Sequence, residues 1–366
     1  MSYKVQQSVC SDCVTYVKSR IKFNKFNTFN NVDLNVIDKY MKFVEPNVEY
    51  WPQGEGMKAV WDQIARATRV SYQSSAREDE NSEDFVKRVV LKPALIEGDL
   101  NDLKSCKFCF DKMHGSCLEH GTIYLAIPID SMFSLSENPW YFYEHNAHTQ
   151  GGKVCEINGK RGIACTTNMR VVLENGKLDD LQYMCEPTEQ HPRRYTFAVT
   201  TDIGVSREAN RNRAFSITEE STRYCCYNAN KFGGEIKYAR PAWLSKENSF
   251  AVKMAASMSR GAQIEEFYGM CRTLVEHGAE HWTADEYYEF ALLASEFAYM
   301  GMRAKGVVAD HCRQVLTLNT KTQVVYTAFE SDWRHFLKLR ADNVSGKAHP
   351  NIQLIANMIK QKLEQL

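Results

Sequence analysis

The chain has 366 residues, with 45 Lys and Arg against 45 Asp and Glu, and so no net charge at pH 7. Lacking a broad basic field, it is not composed as a general binder of nucleic acid or acidic membranes, and any anionic ligand must be held by a local arginine cluster. A hydrophobic content of 44% and a charged content of 25% are those of a soluble globular protein, long enough for one large domain or two ordinary ones.

The opening MSYKVQQSVCSDC has no apolar signal-peptide core, and no stretch approaches the roughly 18 uninterrupted apolar residues of a membrane span. Twelve cysteines without a secretory signal read as reduced thiols in a cytoplasmic enzyme. Residues 1–47 are rich in Lys, Asn and Phe, give weak signals, and are set apart as an N-terminal extension. The polar run SSAREDENSED at 74–84 is a solvated loop or a frayed helix start, a mobile active-site loop being the sharper alternative. GTIYLAIPI at 121–129 and RYTFAVTTDI at 194–203 are β-rich and bounded by turn residues. MRVVLENGKLDDLQYM at 169–184 reads as a strand, an Asn-Gly turn and a short helix. The last third is helical. Thr283-Ala-Asp-Glu286 is a capping box, and Tyr287, Phe290, Ala291, Ala294, Phe297 and Ala298 recur behind it on one predicted core face. Pro350 suits the first turn of a final helix over 351–365. Strands in the middle and helices behind them predict an α+β fold.

The most concentrated chemistry is RNRAFSITEESTRY at 211–224. In an extended backbone, residues two apart share a face, so Arg211 would point with Arg213, and Ser221 with Arg223. A guanidinium fork matches phosphate oxygens and stays charged at any working pH, and a serine hydroxyl two residues away adds a donor to the same anion. Glu219 and Glu220 are placed to fix the arginines or to accept from a ribose or base edge. An exposed salt-bridge stripe is the plainer alternative for the same residues.

The pattern R-x-R-x-x-S-x-x-x-x-S-x-R-Y resembles the signature of the flavin-dependent thymidylate synthases, with Asn212 where the family usually has histidine. Further blocks resemble that family in its own order: RATRVSY at 66–72, HGSCLEHGTIY at 114–124, GVSREANRNR at 204–213, CRQVLTLNTKT at 312–322 with Thr317 in place of proline, DWRHFLKLRAD at 332–342 and AHPNIQLIA at 348–356. The resemblance covers residues 48–366, and residues 130–193 lengthen the domain beyond compact members. Within that stretch and just after it, CEPTEQHPRRYTF resembles a longer subgroup.

The resemblance implies the family's α+β fold, a central β-sheet with long helices, and a homotetramer with sites shared between subunits. It implies conversion of dUMP to dTMP, with methylenetetrahydrofolate supplying carbon and FAD reduced by NADPH supplying hydride, and neither nucleic acid nor membrane as partner. Ser71, His114, Ser116, Arg211, Asn212 and Arg213 match positions that hold FAD, and Glu219 and His335 are further cofactor candidates. Glu208, Glu219, Ser221, Arg223, Arg313 and Arg340 match positions that contact the nucleotide. Arg340, Ser221 and His114 are the catalytic candidates: Arg340 for charge developing on the pyrimidine, and His114 for positioning flavin or folate or for proton traffic. Phe329 and Ser331 replace the usual Asn and Arg and are not carried over. The substitutions at Asn212, Glu208 and Phe329 leave open a hydroxymethylating or dCMP-directed relative, or a silent nucleotide- or flavin-binding homologue. Cys106, Cys109, His114 and Cys117 have a zinc-knuckle look, but His114 belongs to a family block and the last spacing is short, so no metal is expected. Cys225 and Cys226 are expected to pack in the core or an interface. The chain has neither a P-loop nor a strand-G-x-G-x-x-G-helix unit.

Overall fold

The computed structural model describes residues 42–72, 77–129, 137–223, 226–227, 236–244 and 260–366, which fall within one compact unit. Cys10, Cys13, Tyr224, Cys225, the start of the 74–84 run and most of the expected N-terminal extension lie outside the described residues. The strands are β1 (Lys42–Val44), β2 (Asn47–Tyr50), β3 (Leu95–Glu97), β4 (Lys107–Phe108), β5 (Thr122–Pro128), β6 (Gln150–Ile157), β7 (Lys160–Asn168), β8 (Arg194–Asp202), β9 (Ser216–Glu219), β10 (Lys237–Ala239) and β11 (Lys321–Phe329). The helices that position the site and core are α1 (Gly56–Tyr72), α2 (Met169–Glu174), α3 (Ile203–Ala209), α4 (Arg260–His277), α5 (Ala284–Ala304), α6 (Ala309–Cys312), α7 (Glu330–Arg340) and α8 (Pro350–Leu363).

The central sheet is antiparallel in the order β2-β8-β11-β9. Alternation along β11 decides its two faces. Val324, Tyr326 and Ala328 join Phe197 and Val199 of β8 in a core with Trp333 and Phe336 of α7 and Ile352 and Ile355 of α8. Val325 points the other way, onto Ala67 and Val70 of α1. Beyond α1 lies a second antiparallel sheet, β5-β7-β6, whose Ile123, Leu125 and Ile127 pack with Val60, Trp61 and Ile64 of α1. Gly121 makes that approach possible, since a Cβ there would stand 2.7–2.8 Å from Ile64 and Val60.

The added segment at 130–193 thus includes a hairpin, β6–β7, laid along β5. Its Asn158-Gly159 turn has φ of 53° and 75°, the left-handed pair that a tight two-residue hairpin turn demands. At the other end of the chain, β1 pairs in parallel with β10, so residues just before position 48 are built into the fold.

Three expectations change. Residues 169–174 are helical, not a strand: Asn168 accepts from the Val171 amide at 3.1 Å and starts α2 in the manner of an N-cap, and the Asn-Gly turn then leads to a 3-10 segment, Leu178–Tyr183. Helix α5 does begin at the predicted capping box, with Thr283 N donating to Glu286 at 2.6 Å. Its predicted core face is not the buried one, however: Tyr287, Ala291 and Phe297 are exposed and Phe290, Ala294 and Ala298 only half-buried, while Leu292, Leu293 and Tyr299 are buried. Phe290 and Phe297 instead meet Phe267 of α4 at 5.6 and 5.5 Å between ring centres. The third change, at residues 211–213, belongs to the site.

Of the 74–84 run, Arg77–Asp79 are exposed and Asn81 caps a short helix, Ser82–Val86. Glu80 pairs with Arg88 at 2.6 Å, which lowers the Glu80 carboxyl to about 2.

Candidate functional site

A cleft of about 860 Å³ opens where the end of α1, the turn at His114, helix α3, strand β9 and the loop after α6 meet. Ser71 and Tyr72 enter it from α1; His114 and Ser116 come from the start of the 3-10 segment Gly115–His120. Glu219, Ser221 and Arg223 come from β9 and the turn beyond it, and Arg313 from the stretch after α6. Pairing dictates this meeting. Register sets Glu219 opposite Val324 on β11, Glu220 N donates to Gln323 O at 2.9 Å, and Ser221 N donates to Ser71 O at 3.3 Å. Signature and α1 are therefore tied directly together.

The two glutamates have separate duties. Glu220, almost fully buried, accepts from Lys321 Nζ at 2.7 Å. Glu219 Oε1 accepts from Ser206 Oγ at 2.7 Å and Thr322 Oγ1 at 3.0 Å. Burial pushes the Glu219 carboxyl above its ordinary range, and those hydrogen bonds oppose the push. The arginines find a different carboxylate: Arg223 Nε lies 3.3 Å and Arg313 Nη2 3.2 Å from Asp310 Oδ1. His114 is exposed and meets the Tyr72 ring edge-on, 5.3 Å between centres.

Beneath the cleft, His120 is wholly buried. Its Nδ1 lies 2.7 Å from Thr327 Oγ1 and its Nε2 3.0 Å from Thr218 Oγ1, which joins β9 to β11 through the imidazole. Burial, with the Arg194 charge nearby, drives its pKa down to about 3, so it is a neutral structural group.

The remaining candidates do not line this cleft. Arg211, Asn212 and Arg213 are not extended: Asn212 N donates to Ala209 O at 3.0 Å and Phe215 N to Asn212 O at 3.1 Å, so the segment turns off the end of α3. Asn212 Nδ2 donates to Ala209 O at 2.9 Å and closes the helix end. Arg211 and Arg213 are exposed and make no ion pair among the described residues. Glu208 pairs with Arg340 at 3.6 Å, and His335 stands exposed on α7.

The helical period explains the division. Ile203, Ser206 and Arg207, spaced i, i+3 and i+4 on α3, face the cleft, while Glu208 lies on another face. Arg207 is accordingly a lining cation that the sequence reading passed over, and Tyr72 and Gln314 are lining polar residues that it also passed over. Helical spacing through GVSREA was the signal for Arg207.

Cys106 Sγ donates to Asp99 O at 3.1 Å and Cys117 is buried. Among the described residues no group of three or more His, Cys, Asp and Glu side chains is placed to hold a metal ion. Among them, too, no helix is long and apolar enough to cross a membrane.

Residues 187–366 match the family model described as thymidylate synthase complementing protein. The flavin-dependent thymidylate synthase of Synechocystis sp. is 24% identical over 169 residues, a match that takes in 46% of this chain and 66% of that protein. Two solved structures resemble the chain loosely. The UMP/dUMP methylase PolB from Streptomyces cacaoi with 5-Br UMP has 14% identity and a TM-score of 0.34 over 90% of this chain and 93% of its own. Thymidylate Synthase X from Helicobacter pylori with FAD and dUMP has 16% identity and a TM-score of 0.29 over 45% of this chain and 65% of its own. The family-model match over residues 187–366, just under half of the chain, joins the signature register and the ordered blocks in making the chain similar to the flavin-dependent thymidylate synthases.

Proposed function

We propose that the protein methylates dUMP to dTMP, using methylenetetrahydrofolate as carbon donor and FAD with NADPH as reductant. The observation that carries the proposal is the meeting of Ser71, His114, Ser116, Glu219, Ser221, Arg223 and Arg313, drawn from four separated blocks of sequence, around one cleft. Two guanidiniums and a serine hydroxyl at one end suit the nucleotide's dianionic phosphate, because charge-assisted bonds to planar forks are among the strongest polar contacts.

FAD fits the donor set. Arg211 and Arg213, exposed and paired with no carboxylate among the described residues, are suited to its pyrophosphate, and Ser71, His114 and Ser116 offer hydroxyl and imidazole partners. When bound, the flavin supplies the hydride. The protein's own tasks are then positional and electrostatic. Ser221, Arg223 and Arg313 bind the phosphate and so fix the pyrimidine. Ser206 and Thr322 hold Glu219 at the cleft wall. Arg340 stabilises negative charge on the pyrimidine as it is activated. Because Arg340, Arg211 and Arg213 stand away from the cleft of their own chain, a complete site draws them from a neighbouring subunit of a homotetramer.

The test is direct. Purified protein is examined for a flavin spectrum, then NADPH oxidation is followed with and without dUMP and methylenetetrahydrofolate, and the nucleotide product is weighed. A yellow protein whose NADPH oxidation depends on dUMP and yields a methylated product is expected. A hydroxymethyl product would replace the proposed reaction, and absence of both flavin and product would end the enzymatic reading.

A further inference from the structure

Asp310 is the one carboxylate among the described residues that both Arg223 and Arg313 approach, at 3.3 and 3.2 Å. Arg313 reaches it from three residues on, just past the end of α6, while Arg223 reaches it from the signature. Both arginines line the cleft, but Asp310 does not. The other two acidic groups here are occupied elsewhere, Glu220 by Lys321 and Glu219 by two hydroxyls.

The contact is also a poor one. Asp310 Oδ1 is shut off from solvent yet forms no hydrogen bond, although two guanidinium nitrogens stand beside it. It meets them as a point charge, at an angle their N–H groups do not satisfy. A phosphate has three oxygens to offer two forks and can satisfy that geometry.

We propose that Asp310 is a built-in counter-ion of the anion site: it holds Arg223 and Arg313 together and partly neutral until a phosphate displaces it. The inference rests on the cleft being a nucleotide-phosphate site, and it adds a residue that weakens binding of the anion it helps to select. A dianion with good geometry displaces the carboxylate; a weaker anion such as chloride or a lone carboxylate does not. Asp310 thus sets a threshold for anion binding. It is a positioning residue, acting through the two arginines and not on the pyrimidine.

Isothermal titration on the intact oligomer tests it, with inorganic phosphate, dUMP and deoxyuridine as probes and with wild type, Asp310→Asn and Asp310→Glu compared. Asp310→Asn should bind phosphate and dUMP about three- to tenfold more tightly, the range expected for loss of partly exposed ion pairs. Its affinity for deoxyuridine, which has no phosphate, should not change, and Asp310→Glu should return phosphate affinity towards wild type. Unchanged or weaker phosphate binding by Asp310→Asn would overturn the proposal, the weaker result meaning that Asp310 orients the arginines. Should Asp310→Asn fail to fold, Asp310→Ser takes its place with the same expectation. If wild type binds phosphate but not dUMP, the nucleotide reading of the cleft falls, while the phosphate comparison still decides the role of Asp310.

Discussion

At the residue scale, two substitutions within the family pattern acquire local physical reasons. Asn212 stands at a position that the resemblance assigns to a flavin contact, and its amide closes the end of α3 on Ala209 O at 2.9 Å. Removing that bond should cost about 0.5–1.5 kcal/mol, the usual net worth of one hydrogen bond. Asn212→Ala should therefore unfold at slightly lower urea concentration while keeping its flavin. Loss of flavin with unchanged stability would assign the side chain to the cofactor instead. Glu208 is the second case. The family's usual glutamine is neutral, whereas this carboxylate lies 3.6 Å from Arg340 and offsets part of its charge. If Arg340 stabilises a developing anion, Glu208→Gln should raise kcat/KM for dUMP by about two- to fivefold, within the ~1 kcal/mol that a half-exposed pair is worth. A fall in steady-state kcat/KM would mean that Glu208 holds Arg340 in place. The substitutions themselves were legible in the sequence. Their partners were not, because Ala209 O and Arg340 are reached only once α3 exists and α7 is packed.

At the element scale, the sequence was most legible where pattern and packing agree. β5, β8, the capping box of α5 and the Pro350 helix follow from alternation, capping and turn chemistry. It was least legible where apolar residues serve a neighbour other than the main core. On α5 the aromatic stripe meets α4, and spacing alone cannot say which partner a face will find. Residues 169–174 have a strand-like composition in Val171 and Val172, yet the Asn168 cap decides for a helix. His120 links β9, β11 and the loop before β5, and its burial makes a testable statement about pH. Its folded pKa of about 3 lies below the ordinary 6.5, so as pH falls below 6.5 the unfolded chain takes up a proton that the folded chain refuses. Stability from this group is complete above 6.5 and declines as pH falls towards 3, at up to about 1.4 kcal/mol per pH unit. Between pH 7.5 and pH 5, wild type should lose about 2 kcal/mol more than His120→Gln, measured by urea unfolding at one fixed protein concentration. Equal losses would show that His120 protonates within the folded protein.

At the scale of the whole molecule, the signature is split by the turn that follows α3. Its second half, Ser221 and Arg223, lies in the cleft with Ser71, His114, Ser116 and Arg313, while its first half, Arg211 and Arg213, stands exposed outside it with Glu208, Arg340 and His335 also off the cleft. One short stretch of sequence thus serves two places, which no spacing rule reveals, since the division depends on where a helix ends. If both halves are needed for one reaction, the site must be completed between chains, and complementation follows. Arg211→Ala and Arg223→Ala should each be nearly inactive alone. After co-unfolding and refolding in equal amounts, a site formed by Arg211 of one chain and Arg223 of another is intact when the first chain carries native Arg211 and the second native Arg223. Random assembly makes that about a quarter of the sites, so about a quarter of wild-type turnover should return. Native mass spectrometry confirms that mixed oligomers have formed, and turnover per chain is then read on the same sample. Mixed oligomers with no recovered activity would mean that each chain builds its site alone, and that the arginines on the turn after α3 swing into the cleft of their own subunit.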